Sequence, residues 1–245
     1  THPLLDAFTT YGTQLFWPIG PPVAVSSIFI IDPLYTLPLL ACCLFFLARP
    51  PAKTAIVAGL AVSTLYLGWS VLAQQVMTQR VQPALAAAGL ENPDLLVQPM
   101  PFSTLLWRAT ALQGDQRVEI VTGFLDGDTP LNLEYFPRRP ELASEVSDLP
   151  EARRLEWFTR GFLDYDQAGD RITATDIRLG IPGAHPFTFV LATRNGSGID
   201  PTASFRTPRP PVSSEALGLL WSRMIAETPV LCLASLSSPA PGQRC

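Results

Sequence analysis

His2 and Asp6 stand four residues apart, a spacing that on a helix puts both side chains on one face, where they can hold one ion from two sides. A neutral imidazole nitrogen and a carboxylate oxygen are both good ligands for zinc and similar divalent ions, and two protein ligands leave positions open for others. The same pair also has a metal-free reading, as a hydrogen-bonded couple inside a helical bundle. From Val23 to Ala48 the only charged residue is Asp32, followed at once by Pro33. Asp32 can cap a helix, act as a catalytic residue that orients a water or takes its proton, or do both. Thr10 and Tyr11 carry hydroxyls that could bind a substrate or a phosphate oxygen, although a tyrosine here also suits an anchor at a membrane–water interface.

These side chains need elements to position them. Leu4, Leu5 and Phe8 flank the His2–Asp6 pair and suit a helix buried on one side, and Pro3 is tolerated near a helix start. Residues 9–12 read as its end, with Gly12 able to take the left-handed conformation. Trp17-Pro18 and Gly20-Pro21-Pro22 make a rigid aromatic loop of a kind found at membrane interfaces. Asp32 at the N-cap and Pro33 at the first helical position start a membrane helix over residues 33–48, which at about 1.5 Å per residue reaches about 24 Å, short of a bilayer core of about 30 Å. Arg49 to Lys53 breaks it. Residues 54–73 carry no charge and are long enough to cross the bilayer core. The two cations of the short connection place it in the cytoplasm by the positive-inside rule, with both far ends outside. His2, Asp6, Asp32 and the C-terminal half are thereby expected at one membrane face.

Composition agrees with a membrane part plus a soluble domain: 47% of the 245 residues are hydrophobic and 16% charged, and the mean hydropathy is +0.23. A net charge of −4 leaves no basic surface for nucleic acid, which is excluded as a partner. Cys42 and Cys43 are adjacent in an apolar run, Cys232 and Cys245 lie in the tail, and no C-x-x-C or disulfide framework appears.

Beyond residue 74 the pattern changes. Residues 76–90 continue as helix until Asn92-Pro93. Residues 102–112 and 116–125 flank Gly114-Asp115 as a hairpin, 150–162 form an amphipathic helix, and 171–179 and 187–193 are two more strands. Residues 201–211 read as a proline-rich linker and 213–227 as a helix capped by Ser213 or Ser214. The expected organisation is therefore a membrane α-helical N-terminal part (1–78), made of a helical hairpin and the end of a truncated helix. A connecting helix and linker follow (79–99), then a small soluble α+β domain with one antiparallel sheet (100–195), then a linker with a C-terminal helix and tail (196–245).

Other polar groups read as structural. His185 before Pro186 is a surface or turn histidine, and Asp126-Gly127-Asp128 is a turn, because the later oxygens of a calcium loop are missing. Asp176 and Arg178 point to one face of a strand and are expected to pair with the 150–162 helix. Asn195-Gly196-Ser197 matches a glycosylation acceptor but is first a turn signal. No Ser-His-Asp arrangement, P-loop or dinucleotide fingerprint is present.

Thr1-His2 through Leu4-Leu5-Asp6, Tyr11-Gly12, Trp17-Pro18 and Ile28 to Leu34 together resemble a bacterial inner-membrane family of membrane-bound, metal-dependent hydrolases, also described as LexA-binding and inner-membrane-associated. That family is similar to zinc-dependent phospholipase C and P1 nuclease, which hold zinc with a helical His-x-x-x-Asp. Softer matches run through Trp157 to Phe162 and Asp176 to Arg178. The resemblance implies that His2 and Asp6 are metal ligands, that zinc is the cofactor, and that Asp32 belongs to the site. The family's Arg-Gly-x-Thr-His-Ser element is expected upstream. Residue 1 is threonine and no leader precedes it, so the sequence reads as a fragment whose remaining ligands lie before it. The function expected is hydrolysis of a phosphoester or lipid-like substrate at the inner membrane, in a multi-pass protein with its C-terminal domain outside the cytoplasm. The contrasting expectation is a non-catalytic membrane protein whose soluble domain binds a partner.

Overall fold

Asp32 starts the first long element: its Oδ1 accepts the backbone N–H groups of Leu34 and Tyr35 at 2.9 and 3.2 Å, and Pro33 opens the helix behind it. The computed structural model describes residues 2–49, 53–196, 198–208, 214–228 and 230–237. Thr1, the middle of the connection between the two apolar helices, Ser197, the Ser213 cap and Cys245 lie outside the described residues. After a short α1 (His2–Asp6), α2 (Pro33–Ala48) and α3 (Lys53–Ala87) pack as an antiparallel hairpin. Its close approach rests on Gly59, where a Cβ would sit 2.8 Å from the Cys42 Cβ, and on Ser63, whose hydroxyl donates to the Tyr35 carbonyl at 3.1 Å.

Helix α3 is 35 residues long, about 52 Å at about 1.5 Å per residue. The expected continuation of the apolar run as helix past residue 76 forms one element with it, because Gln74 and Gln75 between the two are good helix formers, and Pro83 is accommodated further along. Its two halves have different surroundings. The first bears outward-facing Val57, Leu60 and Leu65, whereas Ala73, Met77, Val81 and Leu85, spaced four apart, are buried against a sheet. Among the described residues α3 is the one helix long and apolar enough to cross a membrane, and α2 is apolar but shorter.

Two four-stranded antiparallel meanders follow, where one sheet was expected. The first is β1 (Asp94–Pro99), β2 (Leu106–Gln113), β3 (Gln116–Gly123) and β4 (Leu133–Pro137). Gly114, at φ +59°, opens the two-residue turn that pairs Gln113 with Gln116. Helices α4 (Pro140–Val146) and α5 (Pro150–Thr159) lead into the second sheet, β5 (Leu163–Ala168), β6 (Arg171–Asp176), β7 (Thr188–Asn195) and β8 (Gly198–Arg206). The expected linker thus contains an edge strand, where Pro201 is tolerated because only one side of β8 is paired. Helices α6 (Ser214–Ile225) and α7 (Leu233–Ser237) close a further apolar cluster over Met100 and Leu106. Cys232 is disulfide-bonded, although no disulfide framework is legible in the sequence, while Cys42 and Cys43 are free.

Alternation along β2 and β3 divides the first sheet. Trp107, Ala109, Ala111, Val118 and Ile120 face α3. Arg108, Thr110, Arg117 and Glu119 occupy the other face, and all four are buried. Glu119 accepts from Arg108 Nε and Nη2 at 2.8 and 2.6 Å and from the Thr110 hydroxyl at 2.8 Å. Arg117 crosses to Asp164 on β5 at 2.7 Å, and Arg108 Nη1 donates to the Gly180 carbonyl at 2.6 Å. The two sheets are thereby joined through a largely buried layer of ion pairs. Burial pushes the Arg117 guanidinium down and the Asp164 carboxyl up from their usual values, each opposed by the partner's charge.

Candidate functional site

Helix α1 ends in a knot of short-range bonds. The Thr9 hydroxyl donates to the Asp6 carbonyl at 2.7 Å and accepts the Gly12 N–H at 3.3 Å, while Val25 and Ser27 donate back to the carbonyls of Ala7 and Phe8. Gly12 takes φ +74°, and a Cβ there would lie 2.6 Å from the Val23 carbonyl oxygen. Only glycine fits where Thr13 and Val23 bridge to close the aromatic loop. Gln74 of α3 fixes the returning strand, donating to the carbonyls of Val25 at 2.6 Å, Ser26 at 3.2 Å and Val97 at 2.8 Å.

This arrangement leaves a cleft of about 350 Å³ whose walls include His2, Asp6, Tyr11, Ile30, Asp32 and Tyr35. His2 Nε2 stands 3.4 Å from Asp6 Oδ2, the i,i+4 geometry expected of the pair, with side chains 86% and 35% exposed. The structure therefore brings His2, Asp6, Asp32 and Tyr11 to one cavity. Thr10 is elsewhere: it is buried and donates to Gln98 Oε1 at 2.7 Å, and Gln98 in turn donates to the Arg178 carbonyl at 2.6 Å. Tyr11 leans edge-on against Phe158 of α5, ring centroids 5.1 Å apart, so the second half of the chain supports one wall.

Asp32 is 3% exposed and almost fully engaged. Besides the two N–H groups at Oδ1, its Oδ2 accepts the Tyr66 hydroxyl at 2.9 Å; that hydroxyl lies 3.2 Å from the Thr104 hydroxyl, to which Trp69 Nε1 also donates at 3.3 Å. A carboxylate offers about four acceptor positions, so about one remains, on Oδ2. Among the described residues no three His, Cys, Asp or Glu side chains gather around a common point. The donor chemistry of His2 and Asp6 fits two positions of a divalent ion, and further ligands must come from other groups.

Sequence reasoning did not single out Tyr66, Gln74, Gln98 or Thr104. The first two carry a signal, being hydrogen-bonding side chains in or just after an otherwise apolar run; the other two contacts are long-range and carry none. His185 is not at the surface. Its Nδ1 donates to the Leu179 carbonyl at 2.8 Å, its Nε2 is buried without a partner, and burial beside the Arg108 charge pushes its pKa down to about 3. Asp126 is more than a turn residue, accepting from Gly123 N–H, Thr122 and Arg223 of α6; burial pushes its carboxyl up, but these bonds win and hold it below the usual range. Asp176 and Arg178 pair with each other at 2.7 Å, and Arg178 also donates to the Phe158 carbonyl at the end of α5.

The matched part of the chain is the part that builds the cleft. Residues 1–77 match the YdjM inner membrane protein family. The match takes in α1, the closed loop, α2 and α3 as far as Met77, and ends before the first sheet. It supports a bacterial inner-membrane location, in keeping with the apolar α3. Comparison with curated proteins gave no match, nor did comparison with solved structures.

Proposed function

We propose that the chain is a membrane-bound, metal-dependent hydrolase acting on a phosphoester or lipid-like substrate. The observation that carries this reading is the cleft itself, whose walls carry an imidazole and two carboxylates at the mouth of an apolar hairpin. His2 and Asp6 would hold the ion, zinc by the chemistry of the donors, and a bound ion of this kind lowers the pKa of a water and polarises a phosphoryl oxygen. Asp32 offers its free Oδ2 position to a water or a substrate hydroxyl, and Tyr66 and the α2 N-terminus keep that carboxylate from turning away. Tyr11 and Tyr35 bring hydroxyls to the same cavity for substrate oxygens, while Thr10 supports the wall through Gln98. No arginine or lysine is among the described cleft residues, and a bound ion would supply the positive charge for an anionic substrate.

In the same reading α2 and α3 are two passes through the inner membrane. A disulfide-bonded Cys232 supports a C-terminal domain on the oxidising, extracytoplasmic side. Elemental analysis of the purified protein tests the site: about one divalent ion per chain is expected, and it is lost in both His2→Ala and Asp6→Ala. A folded protein that stays metal-free after reconstitution with zinc would favour instead a non-catalytic protein whose sheet domain binds a partner.

A further inference from the structure

The part of the hairpin in which α2 and α3 run side by side is short. Helix α2 has 16 residues, and the span of α3 that runs beside it, from residue 53 to the contact with Asp32 and Thr104 at Tyr66 and Trp69, is of similar length. At about 1.5 Å per residue both reach about 25 Å against a hydrocarbon core of about 30 Å. Yet apolar surface does not stop at Asp32. Ile30 and Ile31, directly before it, are 68% and 63% exposed, and the outer face of α3 continues with exposed Leu72 and Val76. The loop that Thr13 and Val23 close carries Phe16, Trp17 and Ile19 at its tip, 69%, 74% and 77% exposed. No residue from Ala7 to Ile31 bears a charge. Exposing this much apolar surface to water would be costly, and Ile30 and Ile31 adjoin in sequence the helix already given to lipid.

We propose that the tip of the 13–23 loop, together with Ile30 and Ile31, inserts into the bilayer, so that the cleft opens at the level of the lipid head groups and takes its substrate from the membrane. The occupant of this surface is lipid because Ile30 and Ile31 run directly into α2, where Leu34 and Leu37 are also exposed, and because they and the uncharged loop tip add apolar surface at the end where α2 is short. Tryptophan beside proline and isoleucine is suited to the boundary, where an amphipathic ring meets head groups and chains together. Ile30 is both a wall of the cleft and part of the patch, so an acyl chain can lie along it while the head group meets His2, Asp6 and Asp32. The substrate statement rests on the hydrolase reading; the insertion does not.

The test uses the full chain in lipid nanodiscs, with and without dibrominated phosphatidylcholine, and reads tryptophan emission as the difference between wild type and Trp17→Phe. At least a twofold loss of the Trp17 emission with dibrominated lipid is expected, with little quenching by aqueous iodide. Trp17→Phe with Ile19→Trp moves the reporter along the tip and must behave alike. Quenching by iodide alone would place the loop in water, and resistance to both quenchers would place it against protein; either overturns the proposal. Metal content measured on the same samples reports separately on the hydrolase reading, since a metal-free protein with lipid-quenched Trp17 would sink that reading and leave the insertion standing.

Discussion

Asp32 caps α2, the proposed function gives it a second, catalytic role, and two substitutions can pull the two apart. In Asp32→Asn the amide oxygen still accepts from the Leu34 and Tyr35 N–H groups, and asparagine is about as good an N-cap as aspartate, so α2 should keep its stability to within about 0.5 kcal/mol. The new amide nitrogen faces the Tyr66 hydroxyl, which can turn its proton to Thr104 and accept instead. What is lost is the one free acceptor of a carboxylate in the cleft, and removing a general base costs about 10²–10⁴ in rate. Asp32→Ala removes that acceptor and the cap as well, for a further loss of about 0.5–2 kcal/mol in stability. The assay is hydrolysis of a chromogenic phosphodiester by metal-loaded protein, set beside thermal melts followed by circular dichroism. Both variants should be equally inactive while only the alanine variant melts early. An asparagine variant that turns over like wild type would refute the catalytic role and leave Asp32 as a cap alone.

Two further predictions concern the sheet domain. Glu119→Ala strips Arg108 of its buried partner, and breaking a buried pair on one side costs about 3–5 kcal/mol, so the melting temperature should fall by roughly 6–20 °C; Arg108→Met with Glu119→Leu should recover most of it, and a single-variant loss below about 1 kcal/mol would show that water reaches the layer. His185 titrates near 6.5 in the unfolded chain and near 3 when folded, so protonation favours unfolding: its contribution is complete above about pH 6.5 and drains away as pH falls toward 3, with a slope approaching about 1.4 kcal/mol per pH unit. Urea titrations between pH 7 and 4 should show that slope in wild type and a shallower one in His185→Gln.

Local signals carried the site-bearing helices and the first hairpin. Asp32-Pro33 marks the start of α2 to the residue, Gly114-Asp115 marks its hairpin, and the His2–Asp6 spacing translates directly into one face of a helix. The errors come from patterns read over too short a window. Leu95 to Val97 sits just past Asn92-Pro93 and reads as linker, although it pairs with residues 109–111 of β2. Leu163 and Tyr165 alternate with Asp164 and Asp166 ahead of Gly169-Asp170, which is a legible hairpin signal for β5 and β6. Prolines in residues 201–211 suggested a linker, but a single proline on an edge strand costs no paired N–H. The polar layer between the sheets could not be read at all: arginines and glutamates on alternate strand positions look like a solvated face until a second sheet covers them.

That covering ties the cleft to the domain beyond it. One helix, α3, touches every part in turn: Tyr66 at Asp32, Trp69 at Thr104, Ser70 at Ser27 with 3.0 Å between hydroxyls, Gln74 at the strand returning from the loop and at β1, and Met77 onward in the sheet core. These contacts lie on successive turns of one helix, so a tilt of α3 moves the cleft wall and the first sheet together. Tyr11 on Phe158 and Thr10 through Gln98 to Arg178 make the same connection from the opposite wall, where Arg178 is held by Asp176. The cleft is therefore braced on two sides by the sheet domain, and its geometry depends on residues outside the stretch shared with the inner-membrane family.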